Sequence, residues 1–289
     1  MFKRVWLFAA LSLFAALFLS ATVSAAPSGP APSPAPLRVG LLPTIPTLRL
    51  MRLYDPLRVH LQRVLGQPVE LFTASDFHAH LQDVQKGEFD LLVTAPHFGV
   101  MAADGGYVPL FRYQLELRPL IIVPKASPIH EPRQLKGKKV YTADRLAALS
   151  VVAERWLASD YNMVAGRDYQ LVEASNHSTA IRAVAIGEAD AAISGRSPLA
   201  QVTQDLRDKV DFFECRFVVP HQFFLAHERL GAAAIERIRA ALASFPATEE
   251  GKTFLAEGGF LGLVPLDTSD IETARPYADL VLRTQGGGR

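Results

Sequence analysis

The chain has 289 residues, of which 49% are hydrophobic and 20% charged, ample material for a substantial globular core. Its formal charge is +1 and it carries no basic patch of the nucleic-acid-binding kind, so an anionic ligand has to be held locally. Cys215 is the only cysteine, which excludes an internal disulfide, and its setting among Phe212, Phe213 and Phe217 predicts a buried structural thiol.

Lys3 and Arg4 precede an apolar run from Val5 to Leu19, and small residues follow from Ala21 to Ala26. That layout predicts a secretory signal peptide over residues 1–25. The run falls short of the roughly 20 apolar residues that a membrane span needs. No cysteine stands near the cleavage site, so no lipid anchor is expected there. Loss of Lys3 and Arg4 takes the mature charge from +1 to −1. Residues 26–36 form a Pro/Ala-rich linker, whose prolines at 27, 30, 32, 34 and 36 forbid a helix or a central strand. Folded structure is expected from Leu37 onward.

A strand is predicted over 38–42 and stops at Pro43; a helix over 48–65 is closed by Gly66. A strand over 68–72, a helix over 76–86, a stop at Gly87 and a strand over 89–93 follow. The pattern resumes with a strand over 139–141, a helix over 145–159, a strand over 169–172, a helix over 178–186 and a strand over 189–193. Strands alternating with helices of this length predict parallel α/β sheets. Helices near 231–244, 248–257 and 269–282 complete the chain, with a frayed tail over 286–289.

Two β-type runs break the alternation, 119–124 between prolines and 217–225. The simplest topology makes residues 37–124 and 216–289 one discontinuous lobe and residues 125–215 a second. The two runs are then crossing strands at a hinge, and a ligand would bind in the cleft between the lobes.

Val39-Gly40-Leu41-Leu42-Pro43, Pro56-Leu57 with Leu65-Gly66, and Val69-Glu70 begin a longer likeness. Gly87-Glu88-Phe89-Asp90-Leu91 with Ala95-Pro96, and Gln134-Leu135-Lys136-Gly137-Lys138-Lys139-Val140, continue it. Ser175-Asn176-His177-Ser178-Thr179-Ala180, then Ala183-Val184 and Gly187-Glu188-Ala189-Asp190-Ala191-Ala192, complete it. In this order the segments resemble the PhnD-type phosphate, phosphite and phosphonate periplasmic binding proteins over roughly residues 37–260. The resemblance implies the α/β, two-lobed type 2 periplasmic binding fold, with two mixed sheets joined by a two-strand hinge. It implies the capture component of an ABC importer for a small oxyanion, working with a permease in the inner membrane. It also gives His177 a ligand-binding role.

A small anion is held best by amides at helix N-termini, where unpaired donors and the helix dipole converge. Four strand-to-helix junctions offer such amides: Thr44 to Thr47, Thr94 to His97, Ala143 to Arg145, and Ser175 to Thr179. The candidate ligand-binding residues are Thr44, Thr94, His97, Asp144, Arg145, Ser175, His177, Ser178, Thr179 and His221. For each hydroxyl the competing role is a plain helix cap, and for His97 and His221 a satisfied structural histidine. His78 and His80, at i and i+2 of one helix, point apart and do not make a metal pair.

The chain departs from the resembling family in places. Where the family carries Ser-Thr-Ser-Gly, Ala143 to Ser150 reads Ala-Asp-Arg-Leu-Ala-Ala-Leu-Ser. His221 and Gln222 stand where an acidic residue would meet a ligand ammonium group, which argues against an aminophosphonate. No His-Glu-x-x-His or Gly-x-Ser-x-Gly occurs, and Glu250-Gly251-Lys252-Thr253 lacks the first glycine of a phosphate loop, Pro246 standing there. An enzyme is therefore not expected, nor a cofactor, a nucleic-acid partner or an oligomer. The alternatives are a metal or metalloid receptor using His97, His177 and His221, and an input protein for a membrane sensor.

Overall fold

The computed structural model describes residues 35–286. The expected signal peptide, the linker up to residue 34 and the tail from residue 287 lie outside the described residues.

Strand β1 (Leu37–Leu41) leads through Pro43 and Pro46 into α1 (Thr47–Leu65), which Gly66 ends in the left-handed conformation, φ 69°. Next come β2 (Val69–Thr73), α2 (Phe77–Gln85), β3 (Leu91–Thr94) and α3 (Pro96–Asp104). The chain continues through β4 (Tyr107–Tyr113), β5 (Glu116–Leu117), β6 (Leu120–Pro124) and β7 (Lys139–Thr142) to α4 (Ala148–Tyr161). Then follow β8 (Gln170–Glu173), α5 (His177–Ala185), β9 (Ala191–Ser194), α6 (Arg196–Gln201), α7 (Gln204–Arg207) and β10 (Val210–Glu214). The last stretch holds β11 (Val219–Pro220), β12 (Phe223–His227), α8 (Ala232–Ser244), α9 (Glu249–Gly258), β13 (Leu263–Pro265) and α10 (Thr268–Gly286).

The strands make two mixed sheets and a small ribbon. The first sheet has the order β13-β4-β12-β3-β1-β2, and the second the order β10-β6-β9-β7-β8. β1 runs parallel to β2 and β3, and β7 runs parallel to β8 and β9, as βαβ units require. β12 enters the first sheet antiparallel to β3 and β4, and β6 enters the second antiparallel to β9 and β10.

Three local expectations need correction. Residues 120–124 are a strand of the second sheet, and the ribbon between the sheets is β5 with β11, pairing Val219 with Leu117 and Pro220 with Glu116. The run over 217–225 is interrupted, because the His221 amide turns away to the Leu115 carbonyl at 3.1 Å before β12 begins. The helix expected from residue 145 starts at Ala148. Asp144 takes the Leu146 amide on its side chain at 2.7 Å and the Ala147 amide on its carbonyl, which holds 144–147 in a turn. β4 was hidden by Pro109, which a central strand rarely admits; the pairing of β4 with β12 shifts register between Phe224 and Leu225, and Leu225 faces that proline.

The two sheets repeat one device at an offset of one hundred residues. Asp90 accepts the Arg38 amide at 2.9 Å and returns its own amide to the Arg38 carbonyl; Asp190 does the same with Lys139, also at 2.9 Å. Gly87 and Gly187 both adopt positive φ, 69° and 78°, at the turn that brings these aspartates back. Asp76 caps α2 through the Ala79 amide at 2.8 Å, and Asn176 caps α5 through the Thr179 amide at 2.9 Å.

Beneath the first sheet, α1, α8 and α9 pack around Leu50, Tyr54, Leu57, Ile238 and Phe254. A second apolar cluster joins Leu42, Phe77 and Phe98 of the first half to Ala147, Ala148 and Val151 at the start of α4. Cys215 is free and buried. In Glu250-Gly251-Lys252-Thr253, Gly251 is there for packing: a Cβ on it would lie 1.9 Å from the Phe245 carbonyl oxygen. Among the described residues no helix is long and apolar enough to cross a membrane.

Candidate functional site

A cavity of about 880 Å³ opens between the two sheets. Several helix N-termini line it, those of α1 and α5 among them. On the first side, the chain leaves β1 through Thr44, Ile45 and Pro46, and α1 begins with no side-chain cap. The first amide of this stretch with a helical partner is that of Leu50, to the Pro46 carbonyl at 3.0 Å, so those of Thr47, Leu48 and Arg49 have none among the described residues. On the second side Asn176 takes the Thr179 amide, and the Asn176 carbonyl takes that of Ala180. The amides of His177 and Ser178 are left as donors at the positive end of α5.

Arginines supply the full charges. Arg49 and Arg52 on α1 and Arg182 on α5 line the cavity, are exposed, and make no ion pair among the described residues. Arg118 and Arg196 also line it, but both are held by Glu214, Arg118 at 3.6 Å. A cation in the first turns of a helix is disfavoured by the dipole by a few tenths of a kcal/mol or more. Arg49 sits in the first turn of α1, where the dipole disfavours a cation, whereas Arg182 sits in the last turn of α5, where the dipole favours one. Sequence reading missed them, although the misfit of Arg49 with the dipole was available once the helices were drawn.

The histidines of the site are kept neutral. His177 is partly buried, and desolvation pushes its pKa down to about 4. Its Nδ1 lies 3.2 Å from the Ser194 hydroxyl at the end of β9. With that hydroxyl donating to Nδ1, the ring proton sits on Nε2, which becomes a donor. At the ribbon, His221 is likewise pushed down to about 4 by desolvation, and its Nδ1 accepts the Gln222 amide at 2.8 Å. Its Nε2 is therefore also a donor. Below it, the Tyr54 and Tyr113 hydroxyls lie 2.8 Å apart with Gln222 Oε1 at 3.5 Å from Tyr54, and Tyr113 stacks on Phe260 at 3.8 Å.

Of the ten candidate residues, Thr44, His177, Ser178, Thr179 and His221 line the cavity. The others lie off it. Thr94 is fully buried and bonded to His80 Nε2 at 2.9 Å. His97 is buried, its pKa also pushed to about 4 by desolvation, and its Nε2 donates to the Leu146 carbonyl at 3.0 Å. That bond ties the start of α3 to the turn before α4. Asp144 is taken up by the Leu146 amide, and burial raises its pKa. Arg145 pairs with Glu154 at 3.5 Å beside a separate cavity between α4 and α10. Ser175 shares a 3.1 Å contact with the Thr179 hydroxyl, behind the cap. Asn176, Arg49, Arg52, Arg182 and Gln222 are lining residues that the sequence reading did not nominate.

Among the described residues no three His, Cys, Asp or Glu side chains gather around a point that would hold a metal ion. His97, His177 and His221 are each engaged separately, with Leu146, Ser194 and Gln222. His78 is exposed and bonded to Gln82, and His80 is buried, so the two face apart.

Residues 39–271 match the profile of a family described as ABC transporter, phosphonate, periplasmic substrate-binding protein. Solved structures share the fold at low identity. A binding protein component of an ABC phosphonate transporter from Pseudomonas aeruginosa is 15% identical, with TM-score 0.75 and 88% of each chain covered. PhnD1 from Prochlorococcus marinus, in complex with methylphosphonate, is 13% identical, with TM-score 0.71 over 85% of this chain and 98% of that one. The alkanesulfonate-binding protein of Xanthomonas axonopodis pv. citri, bound to MOPS, is 20% identical, with TM-score 0.59 over 88% and 95%.

Proposed function

Because this chain belongs to the periplasmic substrate-binding family of phosphonate ABC transporters, we propose that it captures an oxyanion of the phosphate, phosphite or phosphonate class between its two sheets. Membership itself implies a small ligand, a membrane permease as partner and a periplasmic location. The observation that carries the ligand reading is convergence: the uncapped start of α1, with Arg49 in its first turn, and the start of α5, with Arg182 further along the helix, face one cavity from opposite sides. Amide donors and guanidinium groups together match the several acceptor oxygens of a tetrahedral anion.

In this reading the sheets act as two lobes joined by the β5–β11 ribbon, with β6 counted in the second lobe. The lobes close on the ligand by hinge motion and release it unchanged, so the protein is not a catalyst. Residues 1–25 are removed as a signal peptide, and the mature protein works as a monomer. His177 and His221 donate through Nε2 to the ligand from the second lobe and the ribbon.

Calorimetric titration with methylphosphonate and small-angle scattering test the reading together. Binding should compact the protein and raise its melting temperature by linkage. Arg182→Ala should weaken binding by about 1.5–3 kcal/mol, the range for a hydrogen bond to a charged group, hence tenfold or more. Unchanged affinity in that variant, or turnover of the ligand by the pure protein, would overturn the assignment.

A further inference from the structure

The volume and walls of the cavity say more about the ligand than its charge does. About 880 Å³ is room for roughly thirty waters at the ~30 Å³ each occupies in the liquid. A bare tetrahedral oxyanion at the start of α5 displaces only a few of them.

The remaining space is bounded by apolar side chains. The start of α4 presents Ala147, Ala148 and Leu149, and its N-cap Ala147 offers no side-chain hydrogen bond. Phe77, Leu42 and Leu50 continue this wall, Leu42 and Phe77 in one packed cluster with Ala147 and Ala148, and all six are buried. Partly buried Leu53, Leu117 and Phe260 extend the apolar wall toward the mouth. The two most exposed large apolar residues among those described, Leu261 at 68% and Leu48 at 65%, directly adjoin the lining residues Phe260 and Arg49. Water held against such walls is the unfavourable alternative to an apolar ligand group.

We propose that the ligand is an oxyanion carrying a bulky apolar substituent, aryl or long alkyl, with its charged head at the start of α5 and its substituent against the start of α4. This rests on the oxyanion reading above and narrows it to organophosphonates and phosphate esters of that shape.

Calorimetry on the mature protein with inorganic phosphate, methylphosphonate and phenylphosphonate tests it. Phenylphosphonate should bind about tenfold tighter than methylphosphonate or better, with phosphate weakest. The heat-capacity change of binding should be more negative for the phenyl compound, as burial of apolar surface demands. In Leu149→Ser the ratio of phenylphosphonate to methylphosphonate affinity should shrink severalfold. Equal affinity for the methyl and phenyl compounds overturns the substituent and leaves the oxyanion reading standing. Binding of none of the three overturns both. A phenyl preference untouched in a folded Leu149→Ser overturns the assignment of the α4 wall.

Discussion

The first and second halves of the molecule build the same unit and finish it differently. Each runs strand, helix, strand, with an aspartate (Asp90, Asp190) clasping the neighbouring strand and a glycine (Gly87, Gly187) at positive φ before it. Each helix is capped by a side chain that accepts the amide three residues on. The caps, however, are Asp76 and Asn176. A carboxylate at a helix start satisfies the dipole with a full negative charge, and its own hydrogen bonds hold the Asp76 pKa below the usual carboxylate range. An amide caps equally well and leaves the dipole unneutralised. The cavity is lined by Asn176 and the three residues after it, whereas Phe77 represents the α2 terminus there. One terminus carries a negatively charged cap and the other a neutral one. In the proposed site the neutral cap stands where the anion would bind at α5.

The largest expected effect comes from making the second terminus like the first. Asn176→Asp keeps the cap, so the melting temperature should hold within about 0.5 kcal/mol of stability. The new charge would stand within a few ångströms of the anion, where like charges repel by up to about 4 kcal/mol at a surface-like dielectric. Oxyanion affinity should therefore fall by about a hundredfold or more. Asp76→Asn, the reciprocal exchange, should change affinity by no more than a few-fold. Calorimetry on both variants breaks the comparison if the two exchanges have the same effect.

Much of this architecture was readable from the chain. Gly66 and Gly87 stop their helices where the pattern says they should, and the αβ alternation gives both parallel cores. What escaped notice escaped for physical reasons. Pro109 disguised β4, since a strand with a proline is tolerated only at an irregular pairing. β6 reads the same whichever sheet it joins, because a buried apolar run carries no label for its partner. At the site, the junctions Thr44–Thr47 and Ser175–Thr179 were visible as strand-to-helix turns. Asp144 and Arg145 were nominated on the expectation of a helix start that a side-chain turn delays to Ala148. The arginines were overlooked because a cation on a helix face reads as solvated surface until the cavity is known.

The second effect concerns the histidines of the two halves. His80 is buried under the first sheet against Thr94, and His177 faces the cavity against Ser194; desolvation pushes both pKa values to about 4. The folded values lie below the unfolded one near 6.5, so the unfolded chain takes up protons first as pH falls. Each histidine's neutral-state stabilisation is thus complete above about pH 6.5 and lost as pH falls toward 4. For His80 that amounts to about 2 kcal/mol at pH 5. Ligand separates the two. An anion beside His177 favours its protonated form and raises its pKa, whereas His80 lies out of reach. Following both imidazoles by NMR with and without methylphosphonate should show a rise for His177 alone, and an equal rise at His80 would sink the distinction.

A third test concerns the clasps themselves, where the telling quantity is a difference of about 1 kcal/mol between the two halves. Asp90 accepts the Arg38 amide and is gripped by Arg229 through two nitrogens at 2.9 and 3.0 Å, with its side chain 14% exposed. Asp190 accepts the Lys139 amide at 2.9 Å, has Lys138 at a looser 3.5 Å, and is 40% exposed. A forked, shielded guanidinium contact is worth more than an exposed ammonium at that distance, which contributes about 0–1 kcal/mol. Asp90→Ala should cost about 2–3 kcal/mol of stability, and Asp190→Ala about 1–2 kcal/mol, mostly the unpaired Lys139 amide. The asparagine variants dissect the gap. Asn keeps an acceptor for the strand amide, so Asp190→Asn should be nearly neutral, while Asp90→Asn should still lose the charge-assisted fork. Denaturant midpoints for the four variants measure this directly. If Asp190→Asn cost as much as Asp90→Asn, the first half would owe nothing to Arg229, and the clasps would be equivalent in strength as well as in geometry.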